Sequence, residues 1–153
     1  MSGRVVSIHV AHAAAAAPIE VESVNAIPGR GLEGDRYFAQ QGTFSNKPGP
    51  HREVTLIETE ALETLARETG IALESGASRR NIATRGIALN DLVGRDFKVG
   101  SVMLRGIKLC EPCAHLEKLT KPGIVRGLTH RGGLRAQVLS SGVIRRGDAI
   151  EIE

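Results

Sequence analysis

Short alternating apolar segments separated by turns most restrict the fold of this chain. Alternation with a period of two residues is typical of half-buried strands. It occurs at residues 5–10, 19–24, 54–57, 81–84, 102–109 and 134–139. Only residues 59–69 have the spacing of a convincing helix, and Gly70 is placed to end it. Many short strands and one or two short helices predict a mainly β (α+β) barrel, whereas a doubly wound parallel sheet is the weaker interpretation.

The first strand and the connecting segments carry further expectations. Residues 5–10 are expected to place Val5, Ser7 and His9 on one face, and Val6, Ile8 and Val10 on the other. Residues 97–109 read as a hairpin with a Gly-Ser turn. The polar segment 40–52 is predicted to be a loop that closes over a ligand, and residues 121–133 are predicted to be a glycine-rich basic loop.

Composition limits both the size and the partners of the protein. The 153 residues suffice for one core, so residues 1–153 are predicted to form one domain. Aromatic residues make up 3% and tryptophan is absent, which argues against base-stacking platforms for nucleic acid. A net charge of +3 favours a small anionic ligand instead. Two cysteines in a chain this long do not make a disulfide scaffold, so we expect the reducing cytoplasm. His9 and His12 interrupt the apolar N-terminus, which argues against a signal peptide, and no apolar run is long enough to span a membrane.

A C-x-x-C pair, Cys110 and Cys113, lies where the strand spacing of residues 102–109 changes to that of a short helix. Helical N–H groups favour a thiolate, which is a nucleophile or a metal ligand. A thioredoxin-like pair should open a long helix in a βαβ unit, which this pattern does not offer. Zinc would need two more ligands, such as His115 or His130. The favoured interpretation is one functional thiolate with the second thiol packed in the core, and two inert buried thiols remain the alternative.

Three further segments combine arginine with glycine or with short polar residues. Gly34, Asp35 and Arg36 form a G-D-R turn, Arg80 and Asn81 belong to S-R-R-N, and Arg131 and Gly132 belong to H-R-G-G-L-R. Each is commonly no more than a solvated turn. Alternatively, the arginines meet an anion bidentately, Asn81 pairs with the edge of a heterocycle, and the glycine N–H groups form a phosphate nest. Individually these signals are weak.

Taken in order, however, these motifs resemble those of one family. The series GLEGDRY, SRRNI, GIALNDLVGRDFKVGSVMLRGIKLCEPCAHLE and RGGLRAQVLSSGVIRRGDAIEI is similar to MOSC domains, the family named after the C-terminal part of molybdenum cofactor sulfurase. The resemblance covers roughly residues 5–152. It implies a closed, complex β barrel like the barrel domain of pyruvate kinase, and it places the family cysteine at Cys113.

The resemblance also implies a ligand. Relatives bind the pyranopterin molybdenum cofactor, or carry sulfur as a persulfide between donor and acceptor proteins. Cys113 is then the catalytic and metal-ligating residue, and a basic pocket for the anionic pterin and its phosphate is expected from Gly34, Asp35, Arg36, Arg80, Asn81, Arg131 and Gly132. The N-terminal barrel and the pyridoxal-phosphate-binding sulfurase domain of larger members have no counterpart here, so a small stand-alone member is expected. The alternative is a non-catalytic barrel that is stapled by zinc or binds a protein.

Overall fold

The computed structural model describes residues 2–12, 16–35, 53–73, 75–112, 116, 120 and 123–152. Within these residues the chain forms strands and two short α-helices. The strands are β1 Ser2–Val10, β2 Ile19–Val21, β3 Ser23–Ile27, β4 Gly31–Leu32, β5 Val54–Glu58, β6 Ile82–Arg85, β7 Asp96–Val99, β8 Val102–Leu109, β9 Leu134–Val138, β10 Gly142–Arg145 and β11 Ala149–Ile152. The helices are α1 Thr59–Thr69 and α2 Ile124–Leu128.

Seven strands close into a barrel, which confirms the predicted fold class. They follow the order β11, β7, β8, β9, β5, β6 and β1, and pairing of β1 with β11 closes the ring. The β5–β6 pair is parallel and the other pairs in the ring are antiparallel. Strand β2 extends β1 beyond the ring, and β10, β3 and β4 form a second small sheet. Closure removes the unpaired edges that the ring strands would otherwise expose.

The interior of the barrel is filled mainly by branched aliphatic side chains. Phe97 is the aromatic residue among the fully buried side chains of the described residues, beside Ile8, Leu56 and Leu104. A second apolar cluster lies between α1, α2 and the outside of β5 and β6. Its members are Ile57, Leu62, Leu65, Ala83, Leu116, Ile124 and Leu128. The two clusters together account for the burial of most long aliphatic residues, as expected for a core poor in aromatic residues.

The predicted faces of the first strand are confirmed for Ile8 and Val10, which share one face, and wrong for Val5 and Val6. Val5, Ile8 and Val10 belong to the barrel core, although Val5 was expected on the face opposite the other two. The cause is a β-bulge, because the register of β1 against β6 shifts between Val5 and Ser7. A bulge inserts one extra residue and so reverses the alternation that follows it. Ser7 therefore faces away from the core.

The helix predicted at residues 59–69 is confirmed. Gly70 ends it in the left-handed conformation, with φ at 73°, and its N–H donates to the carbonyl of Ala66. The predicted loop at residues 121–133 is wrong in its middle, because α2 occupies Ile124–Leu128. Ile124 and Leu128 lie one helical turn apart and are both buried in the second cluster, so tertiary packing supports a helix too short to form alone.

The hairpin of β7 and β8 is confirmed, with Val99 opposite Val102. The predicted lid at residues 40–52 and the short helix after Cys113 fall outside the described residues, apart from Leu116, which is helical and buried. Neither described helix has the length and hydropathy to cross a bilayer.

Candidate functional site

The strand β8 delivers Cys110 to one end of the barrel. The N–H of Cys110 donates to the carbonyl of Gly133, at 2.7 Å, and the residue is buried with a free thiol. This agrees with the expectation that Cys110 packs as a small apolar residue. Cys113 lies outside the described residues, so its role stays a prediction. Its Cα is held by covalent geometry within about 11 Å of that of Cys110.

Arg80 joins two segments of the chain at this end. Its Nε donates to the carbonyl of Gly132 at 2.7 Å, and its Nη2 donates to the carbonyl of Cys110 at 2.9 Å. A longer bond of 3.4 Å runs from Nη1 to the carbonyl of Ser78. The side chain is buried, with 8% of the residue exposed. A guanidinium has five N–H groups in a planar fork, which suits it to bridging carbonyls that point in different directions.

The segment that receives Arg80 depends on glycine. A Cβ at Gly132 would collide with the carbonyl oxygen of Cys110 and lie 3.0 Å from Cδ of Pro112. Gly133 has φ at 109° and lies against the carbonyl of Leu56. Only glycine permits such close backbone approaches. The C-x-x-C segment and the R-G-G segment, distant in sequence, are therefore in direct backbone contact.

Asn81 connects Arg80 to the first strand. Its Nδ2 donates to the carbonyl of His9 at 3.1 Å, and its Oδ1 accepts bonds of 3.1 Å from both the N–H and the hydroxyl of Thr55. The N–H of His9 in turn donates to the carbonyl of Asn81 at 2.6 Å. Asn81 is 5% exposed. Both polar atoms of its side chain thus hold β1 and β5 together at this end of the barrel.

The G-D-R turn meets the end of β1. Oδ1 of Asp35 accepts a bond of 3.1 Å from the N–H of Ala11, and Nδ1 of His12 donates to the carbonyl of Gly34 at 2.9 Å. Asp35 is buried, and Gly34 has φ at 92°. Arg36 lies outside the described residues. Hydrogen bonds thus tie Asp35 to Ala11, just after β1, and Asn81 to His9 on β1, while Arg80 is tied to Gly132.

Arg131 differs from its neighbours. Its Nη1 forms an ion pair of 2.6 Å with Oε1 of Glu68 on α1, and the two side chains are 41% and 55% exposed. An exposed pair of this kind contributes little to stability. Its guanidinium is directed at the last turn of α1, and its role in anion binding stays a prediction.

A contact that the sequence did not indicate lies beside the C-x-x-C segment. His130 has a positive φ of 62°, which is uncommon for a residue with a side chain. Glu111 fixes this conformation, since Oε1 accepts the His130 N–H at 2.6 Å and Oε2 lies 3.0 Å from Nδ1. The amide of Asn90 donates to the His130 carbonyl at 3.0 Å. No spacing pattern joins residues 111 and 130, so only the fold reveals the pair.

Two buried ionisable groups outside these contacts have shifted pKa values. Burial lowers the pKa of His9, partly opposed by the charge of Glu20. Burial raises the pKa of Glu53, although N–H groups of Val138 and Gly29 stabilise its carboxylate. No three His, Cys, Asp or Glu side chains converge as metal ligands within the part of the chain that the structure describes.

Comparison with known proteins agrees with this architecture. The family model of the MOSC domain matches residues 43–151. The chain belongs to the MOSC family. Comparison with curated proteins gives no significant match.

Solved structures share the fold of this MOSC domain at low sequence identity. The YuaD protein from Bacillus subtilis superposes with a TM-score of 0.83 at 18% identity, covering 99% of this chain and 96% of YuaD. YiiM from Geobacillus stearothermophilus gives 0.77 at 17% identity, covering 99% of this chain and 75% of YiiM. YiiM from Escherichia coli gives 0.71 at 19% identity, covering 98% and 69%.

Proposed function

We propose that this MOSC domain binds the molybdenum cofactor or carries sulfane sulfur, with Cys113 as the thiolate that does either. The observation that carries the proposal is the buried Arg80, whose guanidinium bonds to the carbonyls of Cys110 and Gly132. The guanidinium carries a positive charge and contacts the carbonyl of Cys110, three residues before Cys113 in the sequence. Such a charge acts over roughly 10 Å at moderate ionic strength and favours a thiolate.

A thiolate suits both roles. It is a soft ligand of the kind that binds thiophilic metals. As a sulfur carrier, it attacks the terminal sulfur of a donor persulfide, so that a new S–S bond forms while the donor bond breaks. The donor leaves as a thiolate, and sulfane sulfur moves without net oxidation. No cofactor is needed for that transfer.

The donor set at this end of the barrel fits an anionic pterin in two respects. Two of the five N–H groups of Arg80 are not used in the bonds to Gly132, Ser78 and Cys110, so the guanidinium retains donors for an anion. No atom of the described residues lies within 4 Å of where a Cβ of Gly34 would stand, which lets a ligand approach the backbone there. The molybdenum cofactor would supply a redox-active metal, and Cys113 would supply its thiolate ligand.

Native mass spectrometry of the purified chain, prepared without oxygen, tests the proposal. Retained cofactor, or extra sulfur that a thiol reductant removes, supports it. Cys113→Ser should abolish the added mass, while Cys110→Ser serves as the matched control and should retain it. Stoichiometric zinc that a chelator removes, with both thiols protected, would instead identify the zinc-stapled barrel.

A further inference from the structure

A cleft of about 630 Å³ lies between β1, α1 and residues 72, 73 and 75, on the outside of the barrel. Val6, Leu62, Ala66 and Leu73 form an apolar wall, and the polar lining includes Ser7, Glu20, Glu63 and Arg146. This volume is within the range of small-molecule sites, which combine apolar walls with polar groups that orient the ligand. The cleft shares none of its lining residues with the predicted cofactor site.

The bulge in β1 is what presents Ser7 to this cleft. Regular alternation after Val5 would turn Ser7 into the barrel core, but the shift of register turns it outward instead. Bulges are frequent next to active sites, where they re-aim a side chain. In this chain the re-aimed residue is a potential nucleophile.

Ser7 is paired with an imidazole. Its Oγ lies 2.8 Å from Nε2 of His9, and both residues are buried, at 7% and 6% exposure. Burial lowers the pKa of His9, so the ring is neutral near pH 7 and Nε2 can accept a proton when Nδ1 carries the hydrogen. The backbone of His9 is fixed on both sides by Asn81, which holds the ring in place without using its nitrogens.

An acidic residue lies on the neighbouring strand. Glu20 on β2 is the direct cross-strand partner of His9, and its charge raises the His9 pKa against the effect of burial. A carboxylate at this position favours the imidazolium that forms when the ring takes a proton. Other hydroxyls line the cleft, but that of Thr59 donates to the carbonyl of Thr84 at 3.0 Å. Among the described residues that line the cleft, Ser7 is the hydroxyl bonded to an imidazole.

We propose that Ser7 is a nucleophile, with His9 as its base, that accepts acyl groups from small apolar esters bound in the cleft. Oγ of Ser7 forms a bond to the ester carbonyl carbon, and its proton passes to Nε2 of His9. The ester C–O bond then breaks, and the leaving alcohol takes that proton. Water deacylates Ser7 by the same route, so each cycle consumes one ester and one water and requires no cofactor.

An alkyl fluorophosphonate probe tests this on the intact chain, because it forms a stable adduct only with activated hydroxyls. We expect one adduct per chain, mapped to Ser7 by peptide mass spectrometry, together with hydrolysis of p-nitrophenyl butyrate. Ser7→Ala should lose both, and His9→Gln should slow labelling by at least ~100-fold, the usual contribution of a general base. Circular dichroism of His9→Gln checks its fold.

Matched controls come from outside the cleft. Ser23→Ala and Ser101→Ala each remove an exposed hydroxyl that does not line the cleft, and both should label at the wild-type rate. The proposal is overturned if the wild-type chain forms no adduct, or if the adduct persists after Ser7→Ala. Equal labelling of His9→Gln and wild type also overturns it, since the Ser7–His9 contact would then be only a hydrogen bond on the strand surface.

Discussion

Replacement of Arg80 should destabilise the fold more than replacement of an exposed arginine does. In Arg80→Ala the carbonyls of Gly132 and Cys110 lose donors at 2.7 and 2.9 Å. A buried polar group left without a partner costs about 1–3 kcal/mol, so the two carbonyls predict a loss of about 2–6 kcal/mol in the free energy of unfolding. The 3.4 Å bond to Ser78 is long and adds little. A typical domain has only about 5–15 kcal/mol to lose.

The assay is urea unfolding of the chain without added cofactor, followed by circular dichroism. Arg131→Ala is the matched control, because its exposed ion pair with Glu68 predicts a loss of at most about 1 kcal/mol. Arg80→Lys should recover only part of the loss, since one ammonium lacks the fork that reaches both carbonyls. If Arg80→Ala is no less stable than Arg131→Ala, the idea that Arg80 holds the two segments together is wrong. Where cofactor is retained, either alanine variant should also weaken its binding by about 1.5–3 kcal/mol.

Three other changes have distinct expected outcomes. Cys113→Ser should abolish sulfur loading or metal ligation with little loss of stability. Cys110→Ser should lower the free energy of unfolding by about 1–3 kcal/mol, because it buries a hydroxyl. If both variants lose zinc and unfold together, this prediction is wrong. Gly132→Ala should cost about 1–3 kcal/mol in thermal unfolding, because its Cβ meets backbone atoms. The control is Gly34→Ala, where no described atom lies within 4 Å of the new Cβ and only backbone strain of about 1 kcal/mol applies. Burial raises the pKa of Glu53, so ionisation of this carboxyl destabilises the fold as the pH rises above the ordinary pKa of glutamate. In urea titrations the stability of Glu53→Gln relative to wild type should therefore increase from about pH 4 to about pH 8. A constant difference would refute this.

Local signals sufficed for some elements. The apolar spacing of residues 59–69 and the stop at Gly70 predicted α1 with its observed bounds, because both depend on residues within the helix itself. The β7–β8 hairpin was equally local. In contrast, α2 was missed, since its five residues are helical only where Ile124 and Leu128 pack against α1.

The site shows the same division between local and tertiary information. The sequence grouped Gly34, Asp35, Arg80, Asn81 and Gly132 in one hypothesis, which stays a prediction. The structure bonds Arg80 to Gly132, Asn81 to His9 and Asp35 to Ala11. The partners of these residues, however, are backbone groups far away in the chain, such as the Cys110 carbonyl for Arg80. No local pattern encodes such a partner, because a guanidinium that bridges carbonyls and one that meets solvent have the same sequence signature.

The sequence by itself determined that this chain is a small, aliphatic, mainly β protein of the MOSC type, because alternation, turn glycines and ordered motifs are properties of the chain alone. Tertiary structure decided which way the residues of β1 face. One inserted residue shifts the register against β6, so Ser7 leaves the core while Val5 and Ile8 share it. A bulge is set by the fit between two strands, and neither strand carries that information separately.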